Sequence, residues 1–370
     1  MTRDRLRIVI LGLSITSSWG NGHATTYRAL VKGLARRGHD VLFLERDVPW
    51  YASQRDLDRP PYGHTVLYDS LEDLERRHEG NVRDADLVIV GSYVPDGIAV
   101  GEWVLRVARG TRAFYDIDTP VTLALLERGA SEYLTPALAR RYDLYLSFTG
   151  GPTLDRLARE HGVERARPLY CSVDPELYRP TREEPRWDLG YLGTYAEDRH
   201  AGLCRLLLDP AKQWTQGRFI VAGPQYPETM AWPPNVERTH HVAPCDHARF
   251  YGRQRFTLNL TRAPMIEAGY SPSVRLFEAA ACGTPIVSDR WAGLEEVLTP
   301  GREILIAEGS GDVLGMLREL PEARRREIGE AARDRVLRSH TGEHRADQLA
   351  GYVREVVPRG SSPAASPSAS

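Results

Sequence analysis

Short apolar runs alternate with amphipathic stretches along this chain, and the alternation occurs twice. That pattern suits a parallel sheet, because each crossover between parallel strands needs a helix-sized connection. The run Ile8–Leu13 reads as a strand, and Tyr27, Leu30, Val31 and Leu34 follow at helical spacing. Arg36 and Arg37 fall in the last turn of that helix and Gly38 stops it. Val41–Leu44 is the next strand, which completes one βαβ unit. Further strands are expected at Leu87–Val90, Ala113–Tyr115, Leu144–Phe148 and Leu169–Cys171. The segment 174–188 is rich in proline and charge, has no period and reads as a linker. The pattern then restarts. Strands are expected at Leu189–Leu192, Phe219–Ala222, Phe256–Leu260 and Ile286–Val287, and helices at Ala201–Leu208, Val274–Cys282, Glu322–Ser339 and Gly342–Val356.

The reading is therefore α/β in two domains, 1–178 and 186–340, then a C-terminal helix over 341–357. The Ser/Pro/Ala composition of 358–370 predicts a disordered tail. A length of 370 residues suits two domains better than one. The formal net charge of −2 offers no basic field for nucleic acid. The cysteines at 171, 204, 245 and 282 lie far apart, without metal-ligand spacing, and predict reduced thiols in the cytoplasm. No apolar stretch reaches the roughly 20 residues of a membrane span, which leaves peripheral membrane contact open.

The segment 269–289, GYSPSVRLFEAAACGTPIVSD, carries the strongest chemical signal. Ser271 is suited to cap a helix, with Pro272 at its first position. A helix start offers free N–H groups and partial positive charge to a phosphate. Residues 274–282 are almost all apolar or small, apart from Arg275 and Glu278. Those two either pair with each other in the core or face a ligand, Arg275 toward a diphosphate and Glu278 toward ribose hydroxyls.

This segment, with GLEEVL after it, resembles the donor domain of group-one GT-B glycosyltransferases, most closely the spore-maturation (CgeB-type) branch. The resemblance implies a GT-B fold, in which two Rossmann-like domains face each other across a cleft and a C-terminal helix is free to cross back. In that group a Glu matching Glu278 binds the nucleotide ribose. A second Glu, which in that group contacts the sugar directly, stands eight residues earlier, where this chain has Tyr270. The stretch YLGTYAEDRHAG resembles a loop that places a basic residue six positions after a Gly, here Gly193 and Arg199, and IVAGP matches the next strand end at Gly223. Donor contacts are accordingly expected from Gly193, Arg199, Gly223, Arg262, Ser271, Ser273, Arg275 and Glu278.

In the first half, the resemblance implies that the glycine-rich loop of Gly20, Asn21 and Gly22 faces the donor sugar across the cleft, with His23 beside it at a helix start. His23 either points to solvent or serves as a general base. The loop reads GNGHAT, with Thr25 where a dinucleotide fingerprint has its third glycine, so a nicotinamide site is disfavoured. Asp116, Asp118 and Thr119 stand at a strand end and are expected to face the cleft, with Asp116 as second candidate base. Asp118 could instead cap the next helix, and D-x-D can also mark a divalent metal. Gly150 and Gly151 are expected to line the same cleft, as is Tyr270.

The expected activity is transfer of a sugar from a nucleotide diphosphate sugar, UDP mildly preferred, to an unidentified acceptor. No cofactor or bound metal is expected, the leaving phosphates being stabilised by fixed dipoles and arginines. A nucleotide-sugar 2-epimerase and a non-catalytic nucleotide-sugar-binding protein are the alternatives.

Overall fold

The computed structural model describes residues 5–20 and 22–356. Asn21 and the tail 358–370 lie outside the described residues. The N-terminal sheet has seven parallel strands: β1 (Arg7–Gly12), β2 (Asp40–Arg46), β3 (His64–Tyr68), β4 (Leu87–Gly91), β5 (Thr111–Asp116), β6 (Leu144–Ser147) and β7 (Ala166–Pro168), in the order 3-2-1-4-5-6-7. The second sheet has six: β8 (Trp187–Leu192), β9 (Phe219–Ala222), β10 (Val236–Thr239), β11 (Gln254–Asn259), β12 (Ile286–Ser288) and β13 (Leu305–Ile306), in the order 10-9-8-11-12-13. All their pairings are parallel. The strand order reverses between β1 and β4 and again between β8 and β11. Open sheets of this kind form their ligand crevice outside the carboxyl ends of the strands at such a reversal.

The apolar runs form the sheets because both faces are covered, which favours continuous rather than alternating hydrophobicity. Ile8–Leu11 and Leu87–Val90 are buried throughout. The helix His23–Arg36 lies on the first sheet through Tyr27, Leu30, Val31 and Leu34, and Gly38 at φ +83 turns the chain after it.

The C-terminal helix Gly342–Val356 does cross back, packing on His23–Arg36. A Cβ on Gly33 would strike the Gly342 carbonyl, and one on Gly342 would strike that of Ala29, so the two backbones touch directly. Lys32 adds ion pairs to Asp174 (2.5 Å) and Glu176 (2.7 Å) in the linker.

Two sequence expectations need correction. The last N-terminal strand is Ala166–Pro168, not Leu169–Cys171. Leu169, Cys171 and Val173 are apolar because the returning C-terminal segment covers them: Arg345 donates to the carbonyls of Tyr170 and Cys171, and the Val173 N–H donates to His340. The donor helix begins at Val274, with Ser273 at the cap position, rather than at Ser271. Pro272 lies before the helix, and its carbonyl faces the Cys171 thiol at 3.6 Å.

Candidate functional site

The loop after β1 is held by two carboxylates. Glu45, fully buried at the end of β2, accepts from the backbone N–H of Ile15 (2.6 Å) and Thr16 (3.0 Å) and from the hydroxyls of Ser14 (3.0 Å) and Thr16 (2.6 Å). A buried carboxylate with four donors is satisfied and makes a rigid anchor. Asp56 takes the fork of Arg28 at 2.8 and 2.9 Å and the Ser18 N–H at 2.8 Å, while Arg28 Nε donates to Ile15 O. The loop is thereby fixed over the cleft. A Cβ on Gly22 would lie 3.9 Å from Val274 on the opposite domain, and the Trp19 ring sits 4.9 Å from His241. The starts of helices His23–Arg36 and Val274–Ala281 thus meet across the cleft, and both bring partial positive charge to it.

On the other wall Arg275 straddles the strand reversal. Its Nε donates to Leu192 O at the end of β8 (2.7 Å), Nη1 donates to Asn259 Oδ1 at the end of β11 (3.0 Å), and the guanidinium lies 4.8 Å from the centre of the Tyr191 ring. Asn259 also accepts from the Ser273 hydroxyl at 2.7 Å. Gly193 leaves room for the guanidinium, because a Cβ there would come within 2.8 Å of Arg275 Nη2. Gly223, at φ +140, brings the next loop against the Gly193 carbonyl. Arg199 donates from Nη2 to Thr194 O (2.6 Å), and its enclosed Nε has no partner. Arg262 lies between Asp198 (3.3 Å) and Asp118 (3.7 Å).

Arg275 and Glu278 do not pair with each other. Glu278 is buried at 3% exposure and accepts from Tyr178 OH (2.8 Å) and Tyr251 OH (3.2 Å), with His247 Nδ1 at 3.6 Å. Burial pushes its carboxyl up, but the neighbouring His247 and the hydroxyls of Tyr178 and Tyr251 outweigh that and hold it below its ordinary value. Glu278 is therefore a carboxylate at neutral pH.

Two adjoining cavities open on these walls. The first reaches Gly223, His241, Val242, His247 and Glu278. The second, the roomier, reaches His23, Tyr93, Asp118, Arg199, Arg262 and Met265. They share Gly20, Gly22, Gly193, Thr194, Val274 and Arg275, so the two helix starts and Arg275 stand where the cavities join.

His23 lies in the second cavity rather than in open solvent. Its enclosed Nδ1 has no partner, and burial pushes the imidazole down to about 4, which keeps it neutral near pH 7. Asp118 also lines that cavity. Burial raises its carboxyl above the ordinary value, with Arg262 and Tyr93 opposing. It occupies the cap position of helix Thr119–Glu127, but its side chain makes no cap bond.

Six expected site residues, Asp116, Thr119, Gly150, Gly151, Tyr270 and Ser271, line neither cavity. Asp116 is fully buried behind the strand end, bonded by Thr122 (2.6 Å) and Tyr145 (2.6 Å), and burial lifts it to about 6. It does not open on the cleft, so Asp116 lies in the core while Asp118 lines the cavity. Thr119 is turned inward to Asp116 O and Ser147. Ser271 is buried between the domains and accepts from Thr149 (2.9 Å). Gly150 donates its N–H to the Tyr270 carbonyl (2.9 Å). The Tyr270 ring fills a slot between Gly151 and Gly293 instead of facing either cavity. Glu45 and Asn259 were not legible as site residues, since each acts only through partners distant in sequence.

These features define a two-domain α/β protein with the GT-B architecture. Residues 199–351 match the family described as glycosyl transferase-like. Among solved structures, the chain is similar to sucrose-phosphate synthase from Thermosynechococcus elongatus (15% identity, covering 94% of this chain and 98% of that one, TM-score 0.67). It is similar to Anabaena HepE in complex with UDP and glucose (13%, 94% and 99%, 0.70) and to an alpha-glucosyltransferase in complex with UDP-glucose and DNA containing an abasic site (14%, 95% and 100%, 0.69). At these identities the likeness shows the fold. No curated protein matches the chain. Among the described residues no helix is long and apolar enough to cross a membrane.

Proposed function

We propose that this protein is a glycosyltransferase that moves a hexose or related sugar from a nucleotide diphosphate sugar, UDP preferred, to an acceptor hydroxyl. The carrying observation is Arg275, fixed across the strand reversal where two helix starts meet and two cavities join. The nucleoside occupies the first cavity, with its ribose hydroxyls on Glu278. The diphosphate lies at Arg275, Ser273 and the helix starts, with Arg199 and Arg262 beside it. The sugar enters the second cavity. The match to a glycosyl transferase-like family and the UDP and UDP-glucose in the similar structures support this assignment. The segment 277–289 favours the CgeB-type branch within it.

The developing charge on the departing diphosphate is met by these arginines and dipoles, so the proposed reaction uses no bound metal. Neutral His23 is placed to take the acceptor proton if transfer inverts the anomeric centre. If transfer retains it, the same nitrogen binds a sugar hydroxyl, and NMR of the product's anomeric proton separates the two. The protein acts in the cytoplasm on this reading, in keeping with four unpaired cysteines.

The test is a thermal-shift and turnover screen of nucleotide sugars and free diphosphates, with and without a divalent metal. Stabilisation by UDP without metal is expected, and a strict metal requirement would refute the metal-free mechanism. Donor turnover without acceptor would mark an epimerase, and binding without turnover a non-catalytic protein.

A further inference from the structure

Position 270 brings no carboxylate to the sugar cavity, since Tyr270 is a tyrosine whose ring is lodged between Gly151 and Gly293. The cavity nevertheless has a carboxylate on its opposite wall. Asp118 follows the end of β5 and lines the cavity opposite Arg275 and Arg199. Its Oδ2 accepts from Tyr93 OH (3.1 Å) and faces Arg262 (3.7 Å), while its Oδ1 is buried and has no partner. A second buried atom without a partner, His23 Nδ1, lies on the same wall, with its ring 5.4 Å from that of Tyr93.

Leaving such atoms unpaired is costly, and an occupant that supplies hydroxyls relieves that cost. Tyr93 is held at φ +62, a left-handed backbone state that bulky residues rarely adopt. Such strain persists only where surrounding structure enforces it. Here the Tyr93 ring also packs on Tyr133, with 4.7 Å between centroids. The effect is to pin one oxygen of Asp118 and leave the other without a donor, on a residue that lines the cavity.

We propose that Asp118 is the carboxylate that binds hydroxyls of the transferred sugar, reached from the N-terminal domain instead of from position 270, and that Tyr93 is its positioning residue. This rests on the nucleotide-sugar reading of the cleft. With a diphosphate at Arg275 and the nucleoside against Glu278, the sugar is directed into the cavity that Asp118 lines. The Asp118 Oδ1 accepts a hydrogen bond from one sugar hydroxyl, with neutral His23 lining the same cavity.

The experiment is calorimetric titration of wild type, Asp118→Asn and Tyr93→Phe. The probe is whichever of UDP-glucose, UDP-galactose and GDP-mannose the wild type binds most tightly, set against the corresponding free diphosphate. Asp118→Asn is expected to weaken the nucleotide sugar on the order of ten- to a hundredfold, as befits a lost hydrogen bond to a charged group, and to leave the free diphosphate within about twofold. Tyr93→Phe is expected to shift the same ratio in the same direction by a smaller factor. Unchanged diphosphate binding also shows that the variants are folded. Equal weakening of both ligands by Asp118→Asn, or of neither, overturns the proposal. Wild type that binds no diphosphate refutes the nucleotide-sugar reading itself, and the proposal with it.

Discussion

The ring of Tyr270 occupies the space that a side chain at Gly151 would need, so a residue of the C-terminal domain closes on bare backbone of the N-terminal one. Gly293 flanks the other side of the ring, and the Tyr270 carbonyl accepts from the Gly150 N–H at 2.9 Å. Tyr270 itself holds φ +49. The residue therefore serves the domain interface, and its departure from the group's Glu does not by itself empty the sugar site.

Restoring that Glu should accordingly fail to help. Tyr270→Glu is expected to lower the melting temperature without raising turnover, because the new carboxylate enters the glycine slot. Gly151→Ala should destabilise by about 1–3 kcal/mol through overpacking and strain at φ +55. Denaturant unfolding and steady-state rates check both.

Arg275→Lys removes the fork that reaches Leu192 and Asn259 together. An ammonium cannot reproduce that planar geometry. Affinity for UDP is expected to fall by roughly 1.5–3 kcal/mol, measured by calorimetry.

Glu278→Gln leaves the hydroxyls of Tyr178 and Tyr251 facing a neutral amide. UDP affinity should fall on the order of tenfold, with stability reduced by about 1–3 kcal/mol. Comparing UDP with inorganic pyrophosphate assigns the loss to the nucleoside end: pyrophosphate binding should be unchanged.

Asp116→Asn should retain turnover, because the residue faces the core and not the cleft. Its signature is in stability against pH. Burial pushes its carboxyl up from the ordinary 3.8 to about 6, so ionisation is disfavoured in the folded state. The contribution is complete below 3.8 and lost as pH rises through about 6. Wild type should therefore lose roughly 2–3 kcal/mol relative to the variant between those limits, read from melts across pH. A parallel pH dependence in the two proteins would contradict this.

His23 is held at about 4, so its neutral form persists from the ordinary histidine range downward. If it is the base, kcat/KM should show no inflection from it near pH 6.5 and should fall only as pH drops through about 4. His23→Ala with full activity would remove it from the reaction.

Much of the architecture was legible in the sequence because it depends on local pattern. The apolar runs at β1, β4, β8 and β9 and the helices Glu322–Ser339 and Gly342–Val356 follow from period and turn residues alone. The helix carrying Arg275 and Glu278 was legible for the same reason, as two charges in an otherwise apolar stretch. Tertiary structure decided which residues meet. Asp116 and Asp118 are two apart, and within a strand they would share a face. The strand ends at Asp116 and the chain has already turned at Asp118 (φ −139, ψ 50), which sends one carboxyl into the core and the other into the cavity. Leu169 and Cys171 looked like a strand because sequence records that they are buried, but not by what. Sequence determined the α/β class, the two domains, the central strands and the chemistry available, but not β3, β10 or β13. The partners of Arg275, Glu278, Asp118 and Tyr270 were decided only when distant segments packed, because each is set by groups that no local pattern connects.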